Sequence, residues 1–147
     1  MFPAAAALTV CCSPVIAQGG PINECFGKSL DYAVTSQNLD NVLLLRSQVF
    51  PVAGYASVQG LSDERIPDRV VRQMIAQLTP IYQSCVHESY ANNTEALDDL
   101  HKSHLAARVS LLQRLADGTI TYAHYAKQLD VLRGQLEAGL FLWPMGT

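Results

Sequence analysis

An all-α fold follows from three features of this 147-residue chain. Apolar residues recur at three-and-four spacing over most of its length, as they do along one face of a helix. The breaks between these stretches carry helix-capping residues or glycine, as at Asn92-Asn93-Thr94 and Asp117-Gly118. The last two periodic stretches are joined by only a few residues, which makes them antiparallel neighbours. The expected architecture is a small bundle of four to five helices, with a C-terminal antiparallel helical hairpin and one disulfide.

Residues 1–17 have the grammar of a secretory signal peptide. Phe2, Ala4 to Ala7, Leu8 and Val10 form a short apolar run, Ser13-Pro14 breaks it, and Val15-Ile16-Ala17 suits cleavage before Gln18. The run is far shorter than the roughly 20 apolar residues that span a bilayer. There is no Lys or Arg before Lys28, so the usual positive n-region is missing. A lipoprotein reading at Leu8-Thr9-Val10-Cys11 is weaker, because Val10 is larger than the residue such a site places before its cysteine. The expectation is therefore a periplasmic or secreted protein in which residues 18–147 form a single helical domain.

Cleavage would remove Cys11 and Cys12 and leave Cys25 and Cys85. An even pair in an oxidising compartment reads as a disulfide. Closing a loop of about 60 residues stabilises by roughly 4 kcal/mol on chain-entropy grounds. Two buried free thiols are the alternative. The formal charge of −3 argues against nucleic acid and anionic membrane surfaces as partners.

The first helical region runs from about Asn23 to Gln48. Cys25, Phe26, Leu30, Ala33 and Val34 share a stripe, which Val42, Leu43, Leu45 and Val49 continue. Ser36-Gln37-Asn38 is a natural break between two helices, since Ser and Asn favour caps over interiors. Val42 to Leu45 also fits a buried strand, but no pairing partner lies nearby. Residues 51–67 form a long irregular loop punctuated by Gly54, Gly60 and two prolines, with Tyr55, Val58 and Leu61 inside it. Ser62-Asp63-Glu64 suits the start of a short helical turn.

A second helix is expected from Pro67, which fits a first helical position. Val71, Met74, Ile75, Leu78, Ile81, Tyr82 and Cys85 carry its periodicity. Pro80 predicts a kink near Ala76 to Thr79. The third helix starts at Asn93 or Thr94 and buries Leu97, Leu100, His104, Leu105, Val109, Leu111, Leu112 and Leu115. Asp117-Gly118 stops it. Thr121 caps the fourth, Ile120 staples onto Tyr125, and Tyr122, Tyr125, Leu129, Leu132 and Leu136 form a narrow seam for one partner helix.

Leu112, Leu115, Gly118, Ile120, Thr121, Tyr125 and Leu132 follow the order of leucines, glycine, isoleucine-threonine, aromatic and leucine found in the bacterial short C-terminal domain (SHOCT). Residues 111–136 resemble that module, which implies a role in association rather than catalysis. The chain departs from the pattern at Tyr122-Ala123-His124, where acidic residues are usual, and at Leu129, where lysine is. In size, export signal and helical character the chain also resembles the small third subunit of periplasmic quinoprotein alcohol dehydrogenases. That resemblance implies a subunit that holds no pyrroloquinoline quinone or haem and stabilises the dehydrogenase subunit that does.

Chemistry-bearing motifs are few. His101-x-x-His104 places two imidazoles on neighbouring positions of one helix face, and His124 is the only appealing third metal donor. His87-Glu88 beside Cys85 suggests an activated thiol only if Cys85 is free. No Cys-x-x-Cys-His haem motif, Gly-x-Ser-x-Gly elbow or phosphate loop is present. No cofactor and no catalytic residue are expected. Asn92-Asn93-Thr94 fits the N-glycosylation pattern and equally a turn with a helix cap.

The C-terminus carries Leu140, Phe141, Leu142, Trp143, Pro144 and Met145. Termini are ordinarily polar, so this tail either folds back on the bundle, docks on a larger protein or touches a membrane without basic anchors. The expected contact surface joins Leu140, Phe141, Leu142, Trp143 and Met145 with Tyr55, Val58 and Leu61. The functional expectation is a non-catalytic exported accessory subunit that binds a larger exported protein, with only indirect membrane contact. A free-standing helical binder, chaperone-like or inhibitory, and a metal protein using His101, His104 and His124 are the alternatives.

Overall fold

The computed structural model describes residues 21–33, 38–51, 56–92 and 99–139. The expected leader, Tyr55, the Asn93 or Thr94 cap, the Asn93-Thr94 half of the glycosylation pattern and the apolar tail 140–147 lie outside these residues. Among the described residues there is no strand. Six α-helices and one π-turn follow in order: α1 (Pro21–Ala33), α2 (Leu39–Leu44), the π-turn (Leu45–Val49), α3 (Val58–Ser62), α4 (Arg69–Asn92), α5 (Asp99–Ala116) and α6 (Tyr122–Glu137). No helix of the described residues is long and apolar enough to cross a membrane.

α1 is described to Ala33 and α2 starts at Leu39, just after Asn38; Ser36 and Gln37 of the expected break lie outside the described residues, and Val42 to Leu45 is helical. What the periodicity did not show is the wide turn after Leu44. The Phe50 N–H reaches back five residues to the Leu45 carbonyl at 2.8 Å. This widening turns Leu45, Gln48, Val49 and Phe50 all inward. The Tyr125 hydroxyl donates to the Val49 carbonyl at 2.7 Å, which satisfies a group the wide turn leaves over.

Two expected helix starts are corrected. The turn placed at Ser62-Asp63-Glu64 lies earlier, as α3, because the Ser57 hydroxyl accepts the Gly60 N–H at 3.0 Å and caps it there. Pro67 is not the first residue of α4. Asp68 is the cap, its carboxylate accepting the Val71 N–H at 2.9 Å, and Pro67 is buried one residue before it. At Pro80 α4 stays helical throughout, and the Thr79 hydroxyl donates to the Ile75 carbonyl at 2.7 Å.

The hairpin follows its local signals closely. Gly118 takes φ +75°, with the Gly118 N–H on the Leu115 carbonyl at 3.1 Å and the Thr119 N–H on the Arg114 carbonyl at 3.1 Å. These are the two bonds of a Schellman stop. Thr121 then caps α6 by accepting the His124 N–H at 3.0 Å. Ile120 and Tyr125 are both buried in the core, as a staple requires. α6 buries more than its expected seam: Ala123 and Ala126 are also inside, because α3 packs on a second face of the helix.

A disulfide joins Cys25 of α1 to Cys85 of α4, with Cα atoms 5.7 Å apart. Both thiols are consumed, so neither is free for the activated-thiol chemistry considered from His87-Glu88. Beside the bridge, Phe26, Phe50 and Tyr82 form an aromatic triad with centroid separations of 4.6, 5.6 and 5.7 Å. α1 is thus held to the bundle by a covalent link, this aromatic cluster, the buried Leu30 and an Asp31–Arg46 ion pair to the π-turn.

Candidate functional site

Residues 56–68 form a strap laid antiparallel along α6, and its attachment is built mainly from backbone groups. The first N–H groups of a helix have no intrahelical partner. In α6 the Tyr122 N–H is taken by the Arg65 carbonyl at 3.0 Å and the Ala123 N–H by the Asp63 carbonyl at 2.8 Å. The third goes to Thr121, as above. Two turns further along, the Asp130 carboxylate accepts the Ala56 N–H at 2.8 Å. The strap therefore completes the cap of α6 and is tied to it at both ends.

Its interior is fixed by local chemistry. Asp63 Oδ1 accepts the Arg65 N–H at 3.1 Å and Nε at 2.9 Å, and Oδ2 accepts Nη2 at 2.7 Å. The Arg65 hydrogen bonds hold the Asp63 carboxyl below its ordinary range, and Gln48 adds to this. Arg65 also lies 6.0 Å from the Tyr122 ring centre. Burial, with Asp68 and Asp63 nearby, pushes the Tyr122 phenol up to about 12. Gly60 is buried against α6, where an added Cβ would stand 3.2 Å from Ser57 Oγ and 3.5 Å from the Ala126 Cβ. The Ala126 distance is ordinary van der Waals contact, so only the Ser57 hydroxyl would have to give way to an alanine here.

Because carbonyls, Gly60 and Pro67 make the attachment, the strap's larger apolar side chains are left outside. Val58 is 79% exposed, Ile66 52% and Leu61 36%, and Val70, just beyond the strap in the first turn of α4, is 53% exposed. Val58 and Leu61, three residues apart, share one face of α3. Of the expected contact residues, the structure therefore presents Val58 and Leu61 outward and adds Ile66 and Val70. Tyr55 and residues 140–145 lie outside the described residues.

The three histidines do not assemble. His101 and His104 lie together on α5, and His104 faces Arg133 of α6. His124 is nine residues before Arg133 on that helix, about 13 Å along its axis at 1.5 Å per residue. Among the described residues no group of three His, Cys, Asp or Glu side chains is placed to hold a metal ion. The surroundings of His104 oppose a cation in any case. Burial first, then the charges of Arg108 and Arg133, push its imidazole down to about 4.

Arg108 is the residue that sequence reasoning missed. It is only 8% exposed, and its guanidinium lies 4.8 Å from the Tyr82 ring centre. Burial opposes its charge, and the neighbouring Tyr82 and Tyr125 phenols offset that penalty. The signal was present: Arg108 continues the His104, Leu111, Leu115 stripe at helical spacing. Asp130 was also unforeseen, since an exposed-looking helix carboxylate gives no sign that it will bind a distant backbone N–H.

Comparison with known proteins finds no matching family model, no matching curated protein and no matching solved structure.

Proposed function

We propose that this chain is an exported, non-catalytic accessory subunit that binds and stabilises a larger exported protein through the outer face of its strap and its apolar C-terminal residues. The observation that carries the reading is the outward apolar set Val58, Leu61 and Ile66 on a segment already ordered by backbone bonds to α6, continued by Val70 at the start of α4. A pre-ordered binding segment loses little conformational freedom on association, so more of its contact energy appears as affinity. Exposed apolar side chains grouped on one segment mark association sites. The Cys25–Cys85 bridge supports an oxidising compartment, as the leader-like residues 1–17 do. The SHOCT-like hairpin and the likeness to quinoprotein dehydrogenase small subunits point the same way, towards association.

The test is native co-purification from the source cell, followed by mass spectrometry of any stoichiometric companion. Val58→Asp together with Ile66→Asp should abolish the companion and change stability by no more than about 0.5 kcal/mol, since both sites are exposed. Recovery of the protein alone at native expression, or a companion retained by the double variant, would overturn the reading. Recovery alone would favour the free-standing binder.

A further inference from the structure

We propose that the α5–α6 face centred on Arg108 and His104 is a binding site for a small oxyanion, a carboxylate or a phosphate. Arg108 is more than nine-tenths buried, and its Nε meets no acceptor among the described residues. No described carboxylate forms an ion pair with it. The Tyr82 ring and the two phenols compensate its charge only in part, since neither carries a counter-charge. One turn earlier on the same stripe, His104 Nε2 is enclosed and also meets no partner. His104 itself is half-buried, so the pair reaches the surface there.

The described groups whose charge acts on His104 are basic. Arg108 and His101 face it from α5 and Arg133 from α6. Arg133 pairs with Glu137 at 3.3 Å along α6. Tyr82 of α4 and Tyr125 of α6 back the Arg108 guanidinium. Such a set repels a metal ion and favours an anion, for which the guanidinium N–H groups are the matching donors, joined by the imidazolium once His104 is protonated. A bound anion would stabilise the charged imidazole, so anion and proton binding at His104 must help each other. The site is independent of the docking role of the strap.

The experiment is an NMR titration of the His104 ring and the Arg108 Nε–H in the full oxidised chain. Sodium phosphate and sodium acetate are the probes, at ionic strength held constant with sodium chloride. Saturable shifts at both groups are expected with at least one probe below about 50 mM, a weak-site range. Phosphate, which stays anionic throughout, should then raise the His104 pKa from about 4 toward about 5, a tenfold tighter binding to the protonated form. Saturation by acetate alone assigns a carboxylate site, and saturation by phosphate alone a phosphate site. Arg108→Met should remove the response. If that variant does not fold, Arg133→Gln on the partly exposed edge should weaken it. Shifts that never saturate with either probe, or that persist unchanged in the variant that folds, would overturn the site.

Discussion

Reducing the Cys25–Cys85 bridge should destabilise the protein by about 4 kcal/mol. The bridge spans 60 residues of sequence, and the loop-closure relation gives an entropy near −14 cal/mol/K, which at 25 °C is about 4 kcal/mol. An unfolding entropy of about 2.1 cal/mol/K per residue over 147 residues converts this to a fall in Tm of roughly 14 °C. The loss should begin at α1. That helix has 13 residues, too few to persist alone in water, and without the bridge it keeps its apolar contacts to α4, the Phe26–Phe50–Tyr82 cluster and an exposed Asp31–Arg46 ion pair worth little. Thermal circular dichroism with and without a phosphine reductant measures the shift. The Cys25→Ala/Cys85→Ala variant should match the reduced protein and ignore the reductant. A shift below about 3 °C would refute the argument, because the unfolded chain would then not be gaining the freedom assumed.

Two further outcomes follow from single residues. His104 has its pKa depressed from 6.5 to about 4 in the folded state, so the unfolded chain binds more protons between these values. Stability is therefore fully present above pH 6.5 and falls as the pH drops towards 4. The full linkage would be about 3 kcal/mol, and solvent screening at this partly exposed ring reduces it to about 1–2 kcal/mol. Urea unfolding across that range should show the loss, and His104→Leu should flatten it. Gly118→Ala forces a side chain into φ +75° and sets a Cβ 2.7 Å from Arg72 Nη1. The arginine tip can move, so the backbone strain dominates and urea unfolding should show a loss of about 1–2 kcal/mol.

The parts of the fold that were legible in the sequence are those set by contacts near in sequence. Gly118, Thr121 and Ile120 act within a few residues of themselves, and the hairpin they predict is present in detail. Cys25 and Cys85 were legible by elimination, since reading residues 1–17 as a leader sets the other two cysteines aside. The strap was not legible, because its attachment uses the carbonyls of Asp63 and Arg65, and a carbonyl leaves no mark on residue type. Its segment read as a loop for that reason, although Val58 and Leu61 within it, singled out as contact residues, are exposed. Arg108 was passed over because a charged residue on an apolar stripe is ordinarily assigned to its edge. Here two tyrosines from neighbouring helices give it an interior place, and that arrangement exists only after packing.

The same backbone attachment separates stability from recognition in this molecule. A segment that docks through its apolar side chains cannot change them without loosening. The strap docks through the Asp63 and Arg65 carbonyls, the Ala56 N–H and the close approach at Gly60. Val58, Leu61 and Ile66 are therefore free to differ without disturbing α6, whereas a side chain larger than a methyl group at Gly60 would press on Ser57 and Ala126. Substitutions at the first set act on what the strap touches, and substitutions at Gly60 act on whether the strap is there to touch it. A variant series across 56–70 that showed equal loss of stability at Val58 and at Gly60 would contradict this division, because it would mean the outward side chains carry the docking after all.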